Sequence, residues 1–335
     1  MEAEENRQID SLRYLARDFS PLLRDAAVVD IVVNPDGAIW CNRIGEGFER
    51  IGKMAESEVY RILATVATIR GAELNHANPM LETDFPLDGS RIEGLVSPIV
   101  SGAALALRPM NRTAFSLQDY VSAGIVTHKD DEANRLRFRD DFLNEIRGKD
   151  HAEIIRLAVR FRRNIVVAGG TGSGKTTGAN MILRVVAEES PNHRVIVMED
   201  TRELWCPIEN HVSLLATAHV SLLTCLKASL RLAADRIVVG EVRDINAREL
   251  LSAWNTGHPG GIATIHADDA LSALRRFEQL VNSATSETRE TIAQAVNLVL
   301  FMDKEPGNRA GRKLREAMLV HGYDRAKNEY SVEFV

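Results

Sequence analysis

At 335 residues the chain exceeds a single ordinary core and predicts two domains. A composition of 45% hydrophobic and 26% charged residues is that of a soluble globular protein. The formal charge of −6 argues against bare DNA or an anionic membrane as the main partner, since both select basic surfaces.

The opening MEAEENRQID is acidic and polar, unlike a signal peptide. Residues 1–112 read as a smaller α+β domain. In AAVVDIVVNPDGAIWCNRIGEGFERIG two strand-like runs flank NPDG, a strong turn signal. ESEVYRILATVATIRG sets Val59, Ile62, Leu63, Val66 and Ile69 at helical spacing and stops on Gly71. DGSRIEGLVSPIVSGAALALRPM returns to strands, with Asp88-Gly89 as a hairpin turn. Residues 113–150 contain HKDDEANRLRFRDDFLNEIRGKDHAE, read as a linker plus a solvated charged helix.

From 151 to 335 the pattern becomes strand, loop, helix, repeated. NIVVAG, RVIVMED, RIVVGE, GIATIHA and NLVLFMD are short and β-branched with little polar alternation, as in parallel strands covered on both faces. REAMLVHGYD and NEYSVEFV predict a closing hairpin around RAKN. The most apolar long stretch, LLATAHVSLLTCLKASL, is broken by His219 and Lys227 and falls short of a membrane span. Cys41, Cys206 and Cys225 are far apart and form no CxxC, so neither a zinc site nor a disulfide framework is expected, and a reducing, cytoplasmic setting follows.

GGTGSGKTT, Gly169 to Thr177, fits the P-loop pattern, between an apolar strand and an amphipathic helix bearing Ala179, Leu183 and Val186 on one face. Here glycines let backbone N–H groups of Gly169, Gly170, Thr171, Gly172, Ser173 and Gly174 converge on phosphate oxygens, and a helix N-terminus adds positive potential. Lys175 is placed to reach the β- and γ-phosphates of ATP, and the Thr176 hydroxyl to ligate Mg²⁺. In RIVVGEVRD, Gly240 stands where an apolar strand usually ends in Asp, leaving Glu241 as the carboxylate on the strand tip and a second candidate metal contact. A further carboxylate is therefore wanted, and VIVMEDTREL offers Glu199 and Asp200 at another strand end, where they either face the ligand crevice or cap the next helix. His266, at the tip of GGIATIHADD, reads as either a core histidine or a phosphate contact.

Together, GGTGSGKTT, VMEDTREL, RIVVGEVRD and GHPGGIATIHADDALSALRRFEQL resemble the Walker A, Asp box, Walker B and His box of the secretion traffic ATPases of type II and type IV secretion and type IV pili. The Gly-Glu form of the Walker B strand belongs to that pattern. The His box and REAMLVHGYD look closest to the conjugative-transfer, TrbB-type ATPases related to the VirB-type enzymes, and the paired CxxC motifs of many type II secretion ATPases are missing. The resemblance runs from about residue 25 to about residue 325. It implies a RecA-like P-loop NTPase domain preceded by a smaller α+β (PAS-like) domain, and a homo-hexamer hydrolysing ATP with Mg²⁺ between domains. The catalytic set it implies is Glu241, Glu199, His266 as a γ-phosphate sensor, and two N-terminal arginines, Arg91 and Arg108, near the phosphates. Which glutamate activates water, and whether the arginines act within or between subunits, stay open. Arg243 either faces the site or pairs with Asp244.

The implied role is a motor for a type IV secretion or conjugation apparatus. It would sit peripherally at the cytoplasmic face of the bacterial inner membrane, against inner-membrane components, without sequence-specific DNA binding. The alternatives are a pilus or type II secretion ATPase, a RecA-like DNA translocase, which the acidic balance disfavours, and a nucleotide-regulated scaffold.

Overall fold

The computed structural model describes residues 2–110, 116–127, 141–244 and 246–335. Helix α1 (Glu2–Leu15) precedes strands β1 (Val28–Val33), β2 (Ala38–Arg43) and β3 (Gly47–Lys53). Helix α2 (Glu56–Arg70) follows, then β4 (Met80–Asp84), β5 (Arg91–Val96) and β6 (Ala103–Arg108). These six strands form an antiparallel sheet in the order β3-β2-β1-β6-β5-β4. Strand side chains alternate between faces, and both faces here are buried. Ile31 and Val33 pack with Leu12, Leu15, Ile62 and Leu63 of the two helices. Val32, Trp40, Leu95 and Ala106 share a core with Ile196, Val212 and Leu226 of the C-terminal half. The apolar run VVDIVV thus reflects a strand covered on one side by its own helices and on the other by the next domain. α2 ends as its sequence predicts, on Gly71 at φ 64°, a left-handed cap.

Residues 113–115 and 128–140 of the expected linker, with the first half of its charged stretch, lie outside the described residues. Of the rest, α3 (Leu117–Ser122) buries nothing. In α4 (Asp141–Glu145), at the end of the charged stretch, Phe142 is buried in one cluster with Ile146 and Ile154.

The C-terminal half runs α5 (His151–Arg160), β7 (Ile165–Gly169), α6 (Lys175–Glu189), β8 (Val195–Glu199), β9 (His211–Leu215), α7 (Leu222–Ser229), β10 (Arg236–Val239) and α8 (Asn246–Asn255). It continues with β11 (Ile262–Ile265), α9 (Ala270–Val281), α10 (Ser286–Ala295), β12 (Leu298–Lys304), β13 (Arg312–Asp324) and β14 (Glu329–Phe334). The sheet order is β14-β13-β12-β7-β11-β10-β8-β9, parallel from β12 through β9. The closing hairpin adds β13 and β14 antiparallel at one edge. β9 escapes the sequence reading because it alternates buried and half-buried residues at a sheet edge, without the continuous apolar run of its neighbours.

The two sheets are joined by a buried polar seam. Arg194, fully buried just before β8, donates from Nη1 to Asn34 Oδ1 at 2.6 Å and Asn210 Oδ1 at 2.5 Å, and from Nε to the Leu232 carbonyl at 2.6 Å. Asn34 Nδ2 donates in turn to Asn210 at 3.1 Å. Burial pulls the Arg194 guanidinium down to about 9, so it remains charged at neutral pH and depends on these acceptors. The N–H of Leu215 also donates to the Ile99 carbonyl at 2.8 Å, so the N-terminal domain covers part of the β9 edge. Asn34→Ala removes one acceptor of a buried cation and should cost about 2 kcal/mol in denaturant unfolding. Combined with Arg194→Met it should cost clearly less than the sum of the two single changes. Strict additivity would show that the seam is not a cooperative unit.

Candidate nucleotide site

β7 is buried throughout and ends at Gly169, and α6 begins at Lys175, so residues 170–174 turn over the carboxyl edge of the sheet. Gly174 caps α6 at φ 98°, a conformation that a side chain would strain. The loop holds itself together: Ser173 N–H donates to the Gly170 carbonyl at 3.3 Å, and the buried Lys175 ammonium donates to the same carbonyl at 2.9 Å. Thr171, Gly172 and Thr177 are exposed. Burial lowers the Lys175 amine, against the pull of Glu241.

Beside β7 on one flank lie β11 and then β10, and their tips deliver His266 and Glu241. Lys175 Nζ is 3.3 Å from His266 Nδ1, and His266 Nε2 is 3.4 Å from Glu241 Oε1. The structure thus brings His266 beside Lys175 and Glu241, and its half-exposed side chain is not that of a core histidine. The acidic pair after it has a humbler task, since Asp269 caps α9 by accepting from Ser272 N–H at 2.6 Å. Arg243 pairs with Glu241 at 2.9 Å and with Asp200 at 2.7 Å, not with Asp244. Burial by itself would raise the Glu241 carboxyl. The Arg243 bond, with His266 and Lys175, outweighs it and holds Glu241 below its ordinary value.

Gly240 now has a steric reason. A Cβ at that position would stand 2.9 Å from Glu199 Cγ and 3.4 Å from Glu199 Oε1. Glu199, at the end of β8, fills the space that an aspartate on β10 would occupy. Its Oε1 accepts from the N–H groups of Glu203 and Leu204 at 2.9 and 2.8 Å, and burial raises its carboxyl above the ordinary range. Glu199 thereby fixes the following loop, and that loop presents Glu203, whose Oε2 accepts from the Thr176 hydroxyl at 2.9 Å. Sequence reasoning missed Glu203. Its only signal is the third acid of EDTRE, four residues past the strand end.

Arg91 and Arg108 face elsewhere. They are cross-strand neighbours, and with Glu82, Asp84, Glu93 and Arg231 they line a cavity of about 610 Å³. Arg231 precedes the amino end of β10, whereas the P-loop leaves the carboxyl end of a parallel strand, so the cavity and the P-loop lie at opposite edges of the sheet. Arg108 is held by Asp30 at 2.9 Å. Glu93, buried and beside Glu82, is pushed up to about 8 by burial first and is therefore uncharged at neutral pH.

Among the described residues no cluster of three or more His, Cys, Asp or Glu side chains is arranged to hold a metal by itself. The Thr176 hydroxyl, Glu203 and Glu241 nonetheless suit Mg²⁺, which keeps several waters and takes one or two carboxylates plus phosphate oxygens. No helix among the described residues is long and apolar enough to cross a membrane. All three cysteines are free, and burial pushes Cys206 and Cys225 up to about 11.

Residues 18–305 match the type II/IV secretion system protein family. A conjugal transfer protein TrbB from Rhizobium radiobacter is 39% identical over 312 residues, covering 93% of this chain and 88% of that one. The type IV secretion system protein VirB11 of Bartonella quintana is 30% identical over 288 residues, covering 79% of each. The crystal structure of the Brucella suis VirB11 ATPase in complex with sulphate shares the fold, with a TM-score of 0.83 over 95% of this chain and 96% of that one at 24% identity. The chain thus belongs to the type II/IV secretion system protein family, as a TrbB- and VirB11-like secretion ATPase.

Proposed function

We propose that this protein hydrolyses Mg²⁺-ATP as a homo-hexameric motor of a conjugation or type IV secretion apparatus, bound peripherally to inner-membrane components at the cytoplasmic face. The observation that carries the chemistry is the convergence of Lys175, His266 and Glu241 at one edge of the sheet, with Thr176 tied to Glu203 across the P-loop. The similarity to conjugal transfer and VirB11 proteins supports the apparatus.

In this reading the backbone from Gly169 to Gly174 cradles the phosphates, while Lys175 reaches the β- and γ-phosphates. Mg²⁺, when bound with the nucleotide, neutralises phosphate charge, and Thr176, Glu203 and Glu241 are the residues that would hold it. Water attacks the γ-phosphorus, the bond to the ADP oxygen breaks, and ADP and inorganic phosphate leave. Glu241 is the favoured group to orient that water, because it is held ionised beside Lys175 and His266. Glu199 is favoured as a positioning residue, because backbone N–H groups already engage its Oε1. His266, touching both Lys175 and Glu241, is placed to sense the γ-phosphate and pass its loss to β11 and α9.

Arg91 and Arg108 are proposed to act on a neighbouring subunit's nucleotide, since their cavity lies at the opposite edge of the sheet from this chain's own P-loop. A planar cation near developing phosphoryl charge is strongly rate-enhancing. A ring then completes each site from two chains.

Three measurements test this. Glu241→Gln should lower kcat about 100-fold or more, and His266→Ala at least about tenfold, both with ADP binding retained; a His266→Ala protein with full turnover would remove the sensor role. Arg243→Ala, by freeing Glu241 from its strongest lowering contact, should move the acid limb of kcat/KM to higher pH, and an unmoved limb would remove Glu241 as the titrating group. Finally, Lys175→Ala subunits and Arg91→Ala/Arg108→Ala subunits, each inactive alone, should regain hydrolysis when mixed. Mixed rings without activity would place the arginines in the same chain as the site they serve.

A further inference from the structure

The P-loop has a second flank. β7 lies between β11 and β12, and Met302 of β12 pairs with Gly169 at the start of the loop. The β12–β13 hairpin then places a cross-strand pair, Lys304 and Arg312, against the loop. Arg312 Nη1 donates to the Thr177 hydroxyl at 2.7 Å. A Cβ at Gly174 would stand 2.5 Å from Arg312 Cδ and 3.0 Å from its Nη1, and one at Gly172 would stand 3.4 Å from Lys304 Cε. Gly174 therefore makes room for Arg312 as well as for phosphate, and Lys304 lies within contact reach of Gly172.

Neither cation has an ion-pair partner among the described residues. The nearby acids on the hairpin, Asp303 and Glu305, pair with Arg315 at 3.8 and 2.6 Å. A guanidinium has five N–H donors, and a single neutral hydroxyl is a poor match for its charge. Two unpaired cations on the rim of an anion cradle ask for an anion.

We infer that Lys304 and Arg312 bind the α-phosphate end of the nucleotide, with Arg312 donating to a non-bridging α-phosphate oxygen. The inference rests on reading Gly169–Thr177 as a nucleotide site. The two flanks of β7 are two strand spacings apart, about 10 Å. His266 and Glu241 mark the γ-phosphate flank, and Lys175 lies between. The phosphate chain that leaves Lys175 away from His266 runs toward Thr177 and Arg312. The hairpin thus supplies the contact common to ATP and ADP, while the His266 flank tells them apart.

The test is equilibrium binding of ADP and of the two diastereomers of its α-thio analogue to the full chain. Wild type should prefer one diastereomer, because sulfur at the oxygen facing Arg312 weakens a charge-assisted hydrogen bond. Arg312→Ala should bind ADP roughly ten-fold or more weakly and lose that preference, and Arg312→Lys should recover part of the affinity without the preference. Lys304→Ala, at an exposed position, should weaken ADP several-fold with the preference kept. Wild-type affinity in both Arg312→Ala and Lys304→Ala overturns the inference. So does weak ADP binding by Arg312→Ala with the diastereomer preference intact, which would leave Arg312 only shaping the loop through Thr177. A wild-type protein that binds no ADP overturns the nucleotide-site reading itself, a result distinct from these.

Discussion

Strand β7 is buried on both faces and paired in parallel with β11 and β12 on both edges, and the rest of the site follows from that constraint. Parallel neighbours need crossover connections, so every strand of this group ends at the same edge of the sheet. The chain must therefore turn over that edge after β7, β8, β10 and β11, and the polar side chains needed for chemistry collect where the backbone leaves the core. His266 and Glu241 come from strands that are distant in sequence and adjacent in the sheet. The same pairing sets β12 against the opposite flank and brings the hairpin cations to the loop. One buried strand thus gives the loop two chemically different sides.

The carboxylates show how crowding divides labour between residues of one type. Glu199 and a side chain on Gly240 cannot share the space between β8 and β10. Once Glu199 occupies it, burial raises its carboxyl and two backbone N–H groups fasten it. Glu241 meets the opposite conditions, with Arg243, His266 and Lys175 around it, and stays ionised. One glutamate is therefore suited to hold the loop that carries Glu203, and the other to face a reacting group. Neighbours pushing two acids in opposite directions is how a single fold separates structural from chemical carboxylates.

Much of this was legible in the sequence, for reasons that can be named. The parallel strands announce themselves as β-branched runs, the P-loop by glycine spacing, and the α2 stop by Gly71, because each signal is local. What stayed hidden depends on residues meeting across the fold. Gly240 looks like a missing aspartate until Glu199 is seen in its place. Glu203 looks like a surface acid until the loop is folded over Thr176. Asn34 reads as the first residue of a turn, and it is one, yet it is also a latch on Arg194, 160 positions away. Arg312 lies just before the predicted closing hairpin and carries no signal of its own, yet it stands at the P-loop. Arg91 and Arg108 are singled out by resemblance as phosphate-neutralising arginines; that they are cross-strand neighbours lining one cleft emerges only from the sheet, since no sequence pattern tells which cleft a sheet will face once it docks.

That docking decides what one subunit can do alone. The seam through Arg194, Asn34 and Asn210 fixes the N-terminal sheet along β8 and β9, so its arginines line a cleft at the far edge from the P-loop of the same chain. Swinging them across would break a network around a fully buried cation, and such a charge is costly to leave without acceptors. In the proposed ring, a neighbouring chain would present its own P-loop to that cleft and leave the seam intact. Inside the cleft Glu93 is uncharged at neutral pH, so it adds no negative charge against which an incoming phosphate would have to compete. In the ring proposed above, the polar seam between domains and a site completed by two subunits would both follow from this packing.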